Sequence, residues 1–445
     1  MNNQTRIKDE YLDINQRITS FDEVSLGYNK EQAIQEANRC LNCVNHPCVD
    51  GCPLNNRIPE FISKIKEDKI DEAYEIISSV SPFPSICSRV CSSETQCKSK
   101  CTRGINGDAI SINLLERFVC DNHSNINNNV ADKNNIKIAI IGAGPSGLSC
   151  AKRLATLGYN ITIFDSYIKA GGVLTYGIPE FRLPKNIVDN EIDTIKKLNV
   201  SIVTNKKIDN YKELLNDYNY LYISTGTSVS NSMNIPGEKC NGVYDANDFL
   251  LKVNSNRNDF KKEIENKKVV VIGGGNVAID VSRSAIRLQS KSVDILYRRS
   301  LNEMPANKDE LQQALDEKVN FVELTVPKEI ISENGHVTSI RCIKTRLGEP
   351  DEKGRRKPIE IAGSDYIVDS DIVVEAIGNS ADLSLFEGLS HNQRGYVIID
   401  STGMTSNSKV YAGGDVVTGP YTVVNAIKAG IIAANSIHQK CINNK

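Results

Sequence analysis

The stretch Ile138-Ala-Ile-Ile-Gly142-Ala-Gly144-Pro-Ser-Gly147 decides the fold of this 445-residue chain. An apolar run ends in the pattern G-x-G-x-x-G, an amphipathic segment follows it, and a second β-branched run ends at Asp165. The glycines allow a tight turn, the close approach of a pyrophosphate and the packing of helix on strand, and the acid can accept hydrogen bonds from ribose hydroxyls. The stretch therefore predicts a strand–turn–helix–strand unit that binds a dinucleotide at the helix N-terminus.

A second dinucleotide pattern lies further along the chain. It contains Gly273 and Gly275, with Ala278 in place of the third glycine, a change that still permits close helix packing. Its second strand ends in Arg298-Arg299 instead of an acid. Because an arginine can pair with a 2′-phosphate that an acid would repel, this pattern predicts NADPH over NADH. The alternative is that both arginines are solvated surface residues.

Nine of the 13 cysteines lie between residues 40 and 120, and eight of these form two tetrads. The spacings are C-x2-C-x4-C-x3-C-P and C-x3-C-x5-C-x3-C, made by Cys40, Cys43, Cys48, Cys52, Cys87, Cys91, Cys97 and Cys101. The first resembles the ferredoxin-type pattern for a [4Fe–4S] cluster, with a middle spacing of four in place of two. Two tetrads predict two clusters. The alternatives are two structural zinc sites or buried free thiols.

The composition is that of an ordinary globular protein, with 40% hydrophobic and 24% charged residues and a net charge of −2. Such a balance does not indicate binding to nucleic acid or to a membrane surface. The N-terminus is polar, and no run of 18 apolar residues occurs. We therefore expect a cytoplasmic protein of about three domains.

The order of the motifs predicts how the domains are arranged. Residues 121–135 are polar and rich in asparagine, as expected of a linker. Buried strands that end at Gly226 and Gly378 are suitable crossing points between two nucleotide-binding domains. The predicted fold is an all-α iron–sulfur domain (1–130) followed by two Rossmann-like, doubly wound α/β domains. One binds FAD (131–235 and 375–445), and the other is inserted in it and binds NADPH (236–374).

Together these motifs resemble the glutamate synthase small-chain family, over residues 22–437. The most specific pieces are the two tetrads, the Gly- and Pro-rich loop Gly171–Pro184, the segment Tyr297-Arg-Arg-Ser300 and the segment Thr422-Val-Val-Asn-Ala-Ile427. The family includes the N-terminal half of dihydropyrimidine dehydrogenase and the large subunit of the NADH-dependent ferredoxin:NADP oxidoreductase.

The resemblance implies how the site residues are shared among the cofactors. The implied ligands of one [4Fe–4S] cluster are Cys40, Cys43, Cys48 and Cys101. Those of the other are Cys52, Cys91, Cys97 and Glu116, which leaves Cys87 as a structural thiol. The residues implied to bind FAD are Gly142, Gly144, Pro145, Ser146, Gly147, Asp165, Gly172, Arg182, Gly414, Asp415, Thr422 and Val423. The residues implied to bind NADPH are Gly273, Gly275, Asn276, Val277, Arg298, Arg299 and Gly378.

The resemblance also implies a function, the NADPH-oxidising subunit of glutamate synthase. Asn2 follows Met1, so there is no N-terminal cysteine nucleophile, and glutamine hydrolysis is expected of a separate large subunit in a hetero-oligomer. No catalytic side chain is expected, because the cofactors carry the chemistry. Alternatives are a related flavin and iron–sulfur electron-transfer subunit, such as a ferredoxin:NADP transhydrogenase or a pyrimidine reductase, a disulfide reductase, and a zinc-bearing nucleotide sensor.

Overall fold

The computed structural model describes residues 5–124, 131–350, 354–382 and 384–443. The predicted linker (121–135) falls partly outside these ranges, since residues 125–130 are not among those described. The described residues form a helical N-terminal region, then two α/β units and a small antiparallel sheet.

Short helices joined by cysteine-bearing loops make up the N-terminal region. A capping box between Asn29 and Gln32 starts the second helix. On the fourth helix, Ile58, Phe61 and Ile65 form one apolar face, which packs in the core of the region. The helices are α1 (Ile14–Arg17), α2 (Lys30–Asn38), α3 (Pro47–Asp50), α4 (Ile58–Lys66), α5 (Ile70–Ser78), α6 (Pro84–Val90) and α7 (Ile112–Asn122).

The first glycine fingerprint lies in a five-stranded parallel sheet. The strands are β1 (Lys137–Ile141), β2 (Asn160–Phe164), β3 (Ser201–Val203), β4 (Tyr220–Ile223) and, from near the C-terminus, β16 (Val410–Ala412). Their order is β16-β4-β1-β2-β3. The accompanying helices are α8 (Pro145–Thr156), α9 (Val173–Tyr176), α10 (Lys185–Lys196), α11 (Tyr211–Leu214), α16 (Asp415–Thr418) and α17 (Val423–Asn443). Because β16 pairs with β4, which lies almost 190 residues earlier in the chain, the intervening unit is an insertion.

The inserted unit contains the second fingerprint in another five-stranded parallel sheet. Its strands are β6 (Val243–Asp245), β7 (Lys268–Ile272), β8 (Ser292–Leu296), β9 (Asn320–Val322) and β14 (Ile372–Glu375), in the order β6-β14-β7-β8-β9. Its helices are α12 (Ala246–Ser255), α13 (Arg257–Ile264), α14 (Asn276–Arg287) and α15 (Lys308–Asp316). The last residue of β14 thus lies one position past the predicted boundary at residue 374.

The remaining strands form an antiparallel sheet and the crossing between the two units. The sheet is made by β10 (Thr325–Glu333), β11 (His336–Pro350), β12 (Arg356–Glu360) and β13 (Tyr366–Asp369). At the crossing, β5 (Val229–Ser230) pairs antiparallel with β15 (Asn379–Ser380). The outgoing and returning chains therefore run side by side, just beyond the two glycines predicted to end the crossing strands.

The long helix α17 packs closely on α8, the helix of the first fingerprint. The hydroxyl of Ser149 donates to the carbonyl of Ile427, 2.9 Å away. Gly430 lies against the backbone of Ser146, where an added Cβ would clash with its carbonyl oxygen. The C-terminal helix therefore holds the first phosphate-binding turn in place from behind.

Candidate redox site

The first cavity in the helical region is lined by thiols from both tetrads. Cys40 and Cys43 precede α3, Cys48 lies within it, and Cys101 reaches the same space from about 50 residues further on. Apolar side chains of α4 line the cavity with them. Burial raises the pKa of Cys40, and it raises that of Cys48 to about 12. Four thiols in one apolar cavity suit a [4Fe–4S] cluster, which four cysteine thiolates hold.

The second cavity lies between α6, α7 and the chain that follows Cys52. Cys52, Cys91 and Cys97 line it together with Cys87 and Glu116. The pKa of Cys91 is raised by its hydrogen bond with Cys87 and by burial. Burial also raises the pKa of Cys97.

Glu116 gives the second cavity its acidic group. Burial raises the pKa of this carboxyl to about 8, and its oxygen Oε1 accepts a hydrogen bond from the Asn56 amide at 3.3 Å. A buried carboxylate is costly unless a cation or a metal accompanies it. Four thiols and one carboxyl line this cavity, so its side chains fit a cluster held either by four thiols or by three thiols and the carboxyl.

The cysteines of the two cavities are not drawn together around a single point. In the ranges that the structure describes, no three His, Cys, Asp or Glu side chains are arranged to hold a single metal ion. A structural zinc site needs four ligands within about 2.3 Å of one point. A cluster needs less convergence, because each of its ligands binds a different iron atom.

The structure groups the cysteines by cavity and not by tetrad. Cys101, the last member of the second tetrad, lies with the first three cysteines of the first, and Cys52 lies with Cys91 and Cys97. The family resemblance implied this division, which the spacing alone did not predict. The role of each side chain as an iron ligand stays a prediction.

The first fingerprint turn leaves room for a bound pyrophosphate. Gly142 has φ +101°, and a Cβ at this position would press on the backbone of Ser224. A Cβ on Gly147 would clash with the carbonyl of Gly142, whereas one on Gly144 would meet nothing within 4 Å. Gly172 lies against the backbone of Gly144 from the opposite loop. The turn is thus closed behind and open in front, as a phosphate site requires.

Acidic groups lie at the carboxyl ends of two strands of this sheet. Asp165 follows β2 and accepts hydrogen bonds from the amides of Ala143 at 2.6 Å and Tyr167 at 2.8 Å. Asp415 follows β16, and burial raises the pKa of its carboxyl to about 6. Gly414, beside it, contacts Ser146 at the start of α8. Thr422 and Val423 lie at the start of α17, so the predicted FAD residues include the N-terminal ends of both α8 and α17.

The second fingerprint turn has the same form. Gly273 has φ +143° and packs on the backbone of Ala376, while a Cβ on Gly275 would meet nothing within 4 Å. Asn276 begins α14, and its side-chain oxygen accepts the amide of Asn307 at 2.8 Å. Val277, next to it, is exposed.

The two arginines after β8 differ in their surroundings. Arg298 is exposed, whereas Arg299 is buried and donates through Nε to the carbonyl of Arg356 at 2.7 Å. Gly378, on the returning crossing, accepts the amide of Asn231 at 3.1 Å. Arg298 is therefore the guanidinium that is free to meet a ligand from solvent.

One side chain of α17 reaches the second cysteine cavity. Val424 belongs to the first turn of α17, next to the predicted flavin residues, and it also lines the second cavity. The start of α17, where Thr422 and Val423 are predicted flavin residues, therefore borders the second cavity.

Comparison with known proteins gives the family. Residues 17–128 match the model described as dihydropyrimidine dehydrogenase domain II, 4Fe-4S cluster, and residues 136–430 match that described as pyridine nucleotide-disulphide oxidoreductase. The glutamate synthase [NADPH] small chain of Halomonas elongata is 34% identical over 441 residues, which cover 95% of this chain and 93% of that protein. The chain belongs to the glutamate synthase small-chain family.

Other relatives include a second glutamate synthase small chain and a subunit of a different oxidoreductase. The Escherichia coli glutamate synthase [NADPH] small chain is 33% identical, over 95% of this chain and 94% of that protein. The Moorella thermoacetica NADP(+)-dependent formate dehydrogenase subunit beta is 37% identical over 89% of this chain, which spans only 60% of that protein. Among solved structures, Mycobacterium tuberculosis FprA in complex with NADPH has a TM-score of 0.59 at 20% identity, over 69% of this chain and 86% of that one, and shows the fold alone.

Membership of the small-chain family confirms the predicted architecture and the kinds of cofactor. An iron–sulfur domain precedes an FAD- and NADPH-binding oxidoreductase fold in one NADPH-dependent oxidoreductase chain. The number of clusters and the residues that hold each cofactor stay predictions. Within the described residues, no helix has both the length and the apolar character needed to cross a membrane.

Arg182 has partners that the small-chain resemblance did not imply. It was predicted to contact FAD, and the structure places its guanidinium 2.7 Å from Asp280 on α14 and 2.5 Å from Glu310 on α15. These carboxylates raise the pKa of Arg182 against the opposing effect of burial. Arg182 thus joins the two nucleotide-binding units, and its contact with FAD stays a prediction.

Three residues lie near the predicted site but were not predicted from the sequence. Asn56 contacts Glu116, Tyr222 on β4 shares a hydrogen bond with the hydroxyl of Ser146 at 2.6 Å, and Lys185 donates to the carbonyl of Leu174 at 2.9 Å. No spacing rule identifies such contacts, because each joins residues that are distant in the chain or lies in a loop without periodicity.

Proposed function

We propose that this chain is the electron-input subunit of an NADPH-dependent glutamate synthase. The overall reaction would convert L-glutamine, 2-oxoglutarate and NADPH to two L-glutamate, with a separate large subunit as partner. The observation that carries the proposal is that Val424, beside the predicted flavin residues at the start of α17, lines the second thiol cavity, in a chain that matches glutamate synthase small chains almost from end to end. When bound, FAD, NADPH and two [4Fe–4S] clusters supply the hydride and electron transfers.

In this proposal, the side chains of the protein position the cofactors and exclude water. Cys40, Cys43, Cys48 and Cys101 hold one cluster, and Cys52, Cys91, Cys97 and Glu116 the other. The turn at Gly142–Gly147 and the start of α17 bind FAD, with Asp165 and Asp415 as hydrogen-bond acceptors for its hydroxyls. Arg298 binds the 2′-phosphate of NADPH, and no side chain acts as acid or base.

A second candidate is the same electron transfer in a different complex. It is favoured by the similarity to the formate dehydrogenase beta subunit and to the Geobacter sulfurreducens NADPH-Fe(3+) oxidoreductase subunit beta, which is 34% identical over 90% of this chain. This chain spans 64% of the latter protein. The flavin and cluster assignments would be the same, and only the acceptor would differ.

The proposal can be tested by anaerobic purification of the chain from its native cell, together with its partners. We expect a larger subunit to copurify, and we expect NADPH oxidation that needs both glutamine and 2-oxoglutarate. NADPH oxidation with dyes alone, unaffected by those two substrates, would contradict the glutamate synthase assignment and favour the second candidate. A colourless preparation with zinc and no flavin would overturn both.

A further inference from the structure

Asn56 lies next to two of the predicted ligands of the second cavity. Its side-chain amide donates to Glu116 at 3.3 Å, and its backbone N–H is hydrogen-bonded to the thiol of Cys52. Asn56 is only 4% exposed and lines the cavity itself. Its carbonyl accepts the amide of Ile58 at 2.7 Å, at the start of α4, so the residue is held at both ends.

The polar side chain of Asn56 is unusual for such a buried place. Its oxygen Oδ1 is buried and has no hydrogen-bond partner in the parts of the chain that the structure describes. A buried amide oxygen without a partner costs free energy, and an apolar residue of similar size would avoid that cost. The side chain does donate one hydrogen bond, from Nδ2 to Glu116, and an apolar residue could not provide it.

A competing ligand lies in the same cavity. Cys87 lines the space with Cys91, and the two thiols are hydrogen-bonded to each other. Thiolate is the usual ligand of iron in such clusters, whereas carboxylate is not. Chemistry alone would therefore favour Cys87 over Glu116 as the fourth ligand.

We propose that Asn56 is a positioning residue that holds the Glu116 carboxylate toward the second cluster and thereby keeps Cys87 out of the ligand set. With one carboxylate oxygen fixed by the amide, the other is left to face the three thiols. This inference rests on the proposed assignment of Glu116 as a ligand. Without the amide, Glu116 can turn away: its bond to iron would break, the thiol of Cys87 would pass its proton to the released carboxylate, and the resulting thiolate would bind the iron in its place.

The test compares the purified full chain with N56L and N56D, studied anaerobically by iron and sulfide analysis, by EPR of the reduced protein and by redox titration. Asp keeps the shape of Asn but cannot donate the hydrogen bond when ionised. We expect both variants to keep about eight irons per chain, with a changed EPR signal and a shifted midpoint potential for the second cluster. The first cluster is assigned to a different set of cysteines. Its unchanged EPR signal would therefore show that the domain of each variant is folded.

The matched control is Asn113, an amide that lines the same cavity and accepts a hydrogen bond from Ser93 at 3.5 Å. N113L and N113D should leave both the EPR signal and the potential of the second cluster unchanged. The C87A variant should match the wild type, whereas N56L/C87A should lose about four irons per chain because neither fourth ligand remains.

Three results would overturn the proposal. The first is a wild-type spectrum and potential in both N56L and N56D. The second is loss of four irons in the single variant N56L with the signal of the first cluster intact, and the third is loss of a cluster in the single variant C87A. A failure of the underlying assignment is separable, because E116A would then leave the spectrum of the second cluster unchanged. Loss of the pyridine-nucleotide or glutamate synthase activity would bear on the proposed function and not on this ligand choice.

Discussion

At the scale of single residues, two side chains of the same type differ in exposure and therefore in the contacts that they can make with a ligand. Arg298 and Arg299 are adjacent and were both predicted to read the 2′-phosphate, yet one is exposed and the other is buried against the carbonyl of Arg356. The sequence predicted two cations but could not predict which side chain the following strands would cover. That outcome depends on β12, which approaches from almost 60 residues away.

We expect R298Q to weaken the use of NADPH but not of NADH. A charge-assisted hydrogen bond contributes about 1.5–3 kcal/mol, which corresponds to roughly a ten- to hundredfold fall in kcat/KM for NADPH. Steady-state rates with both nucleotides and a dye acceptor measure this, with R394Q, an exposed arginine outside the inserted unit, as the control. An equal loss with NADH would mean that Arg298 does not read the 2′-phosphate.

Lys185 gives a prediction about pH. Burial lowers the pKa of its amine to about 7, and Nζ donates to the carbonyls of Leu174 and Ile178. The unfolded chain, with a pKa near 10.5, holds this proton at pH values where the folded chain has released it. The contribution of this group to the free energy of unfolding therefore rises with pH between about 7 and 10.5.

The K185M variant should lack that contribution. Denaturant unfolding of both proteins across this pH window measures the difference in the free energy of unfolding, wild type minus variant, and we expect it to increase with pH. A difference that stays constant or falls would show that the amine is charged in the folded protein.

At the scale of elements, glycine positions determine which helices can approach each other. The two fingerprints predicted the helices α8 and α14 correctly, because strand, turn and helix are adjacent in the chain. They could not predict that α17, from the C-terminus, packs on the back of α8. That contact depends on Gly430, whose missing side chain lets the helix reach the carbonyl of Ser146.

We expect G430A to destabilise the protein and weaken FAD binding. Alanine favours helix by about 1 kcal/mol over glycine, but an added Cβ here meets backbone that cannot turn aside, and overpacking costs about 1–3 kcal/mol. Flavin content after gel filtration and the midpoint of thermal unfolding measure both effects. K428A, an exposed position on the same helix, is the control. Full flavin content and an unchanged midpoint would mean that the two helices can separate without consequence.

At the scale of the whole molecule, buried ion pairs join the three regions. Glu317 on the inserted unit accepts hydrogen bonds from Arg283 and Arg287 and lies 3.8 Å from Arg17 of the N-terminal region. Both α14 arginines also lie over the ring of Phe181, which belongs to the FAD unit. The order of the motifs predicted an iron–sulfur region before the nucleotide-binding units, but it did not predict this junction, because charged residues in a helix are usually solvated.

We expect E317Q to lower the free energy of unfolding by about 3–5 kcal/mol, since it leaves buried arginines without their carboxylate. Burial alone would raise the pKa of Glu317, but the hydrogen bonds from Arg287 and Arg283 hold it at about 2. The stabilisation is therefore complete above the unfolded pKa near 4.5 and is lost as the pH falls toward 2. Urea unfolding between pH 7 and 3 measures it, and a variant equal in stability to the wild type at pH 7 would contradict this role.

The central claim is that one chain carries two clusters beside a flavin site. Anaerobic purification followed by analysis of acid-labile sulfide and FAD tests it most directly. We predict about eight sulfides and one FAD per chain, with all the iron accounted for by two [4Fe–4S] clusters. About four sulfides per chain in fully flavinated protein would mean that one of the two cavities holds no cluster, and zinc in place of iron and sulfide would contradict the account altogether.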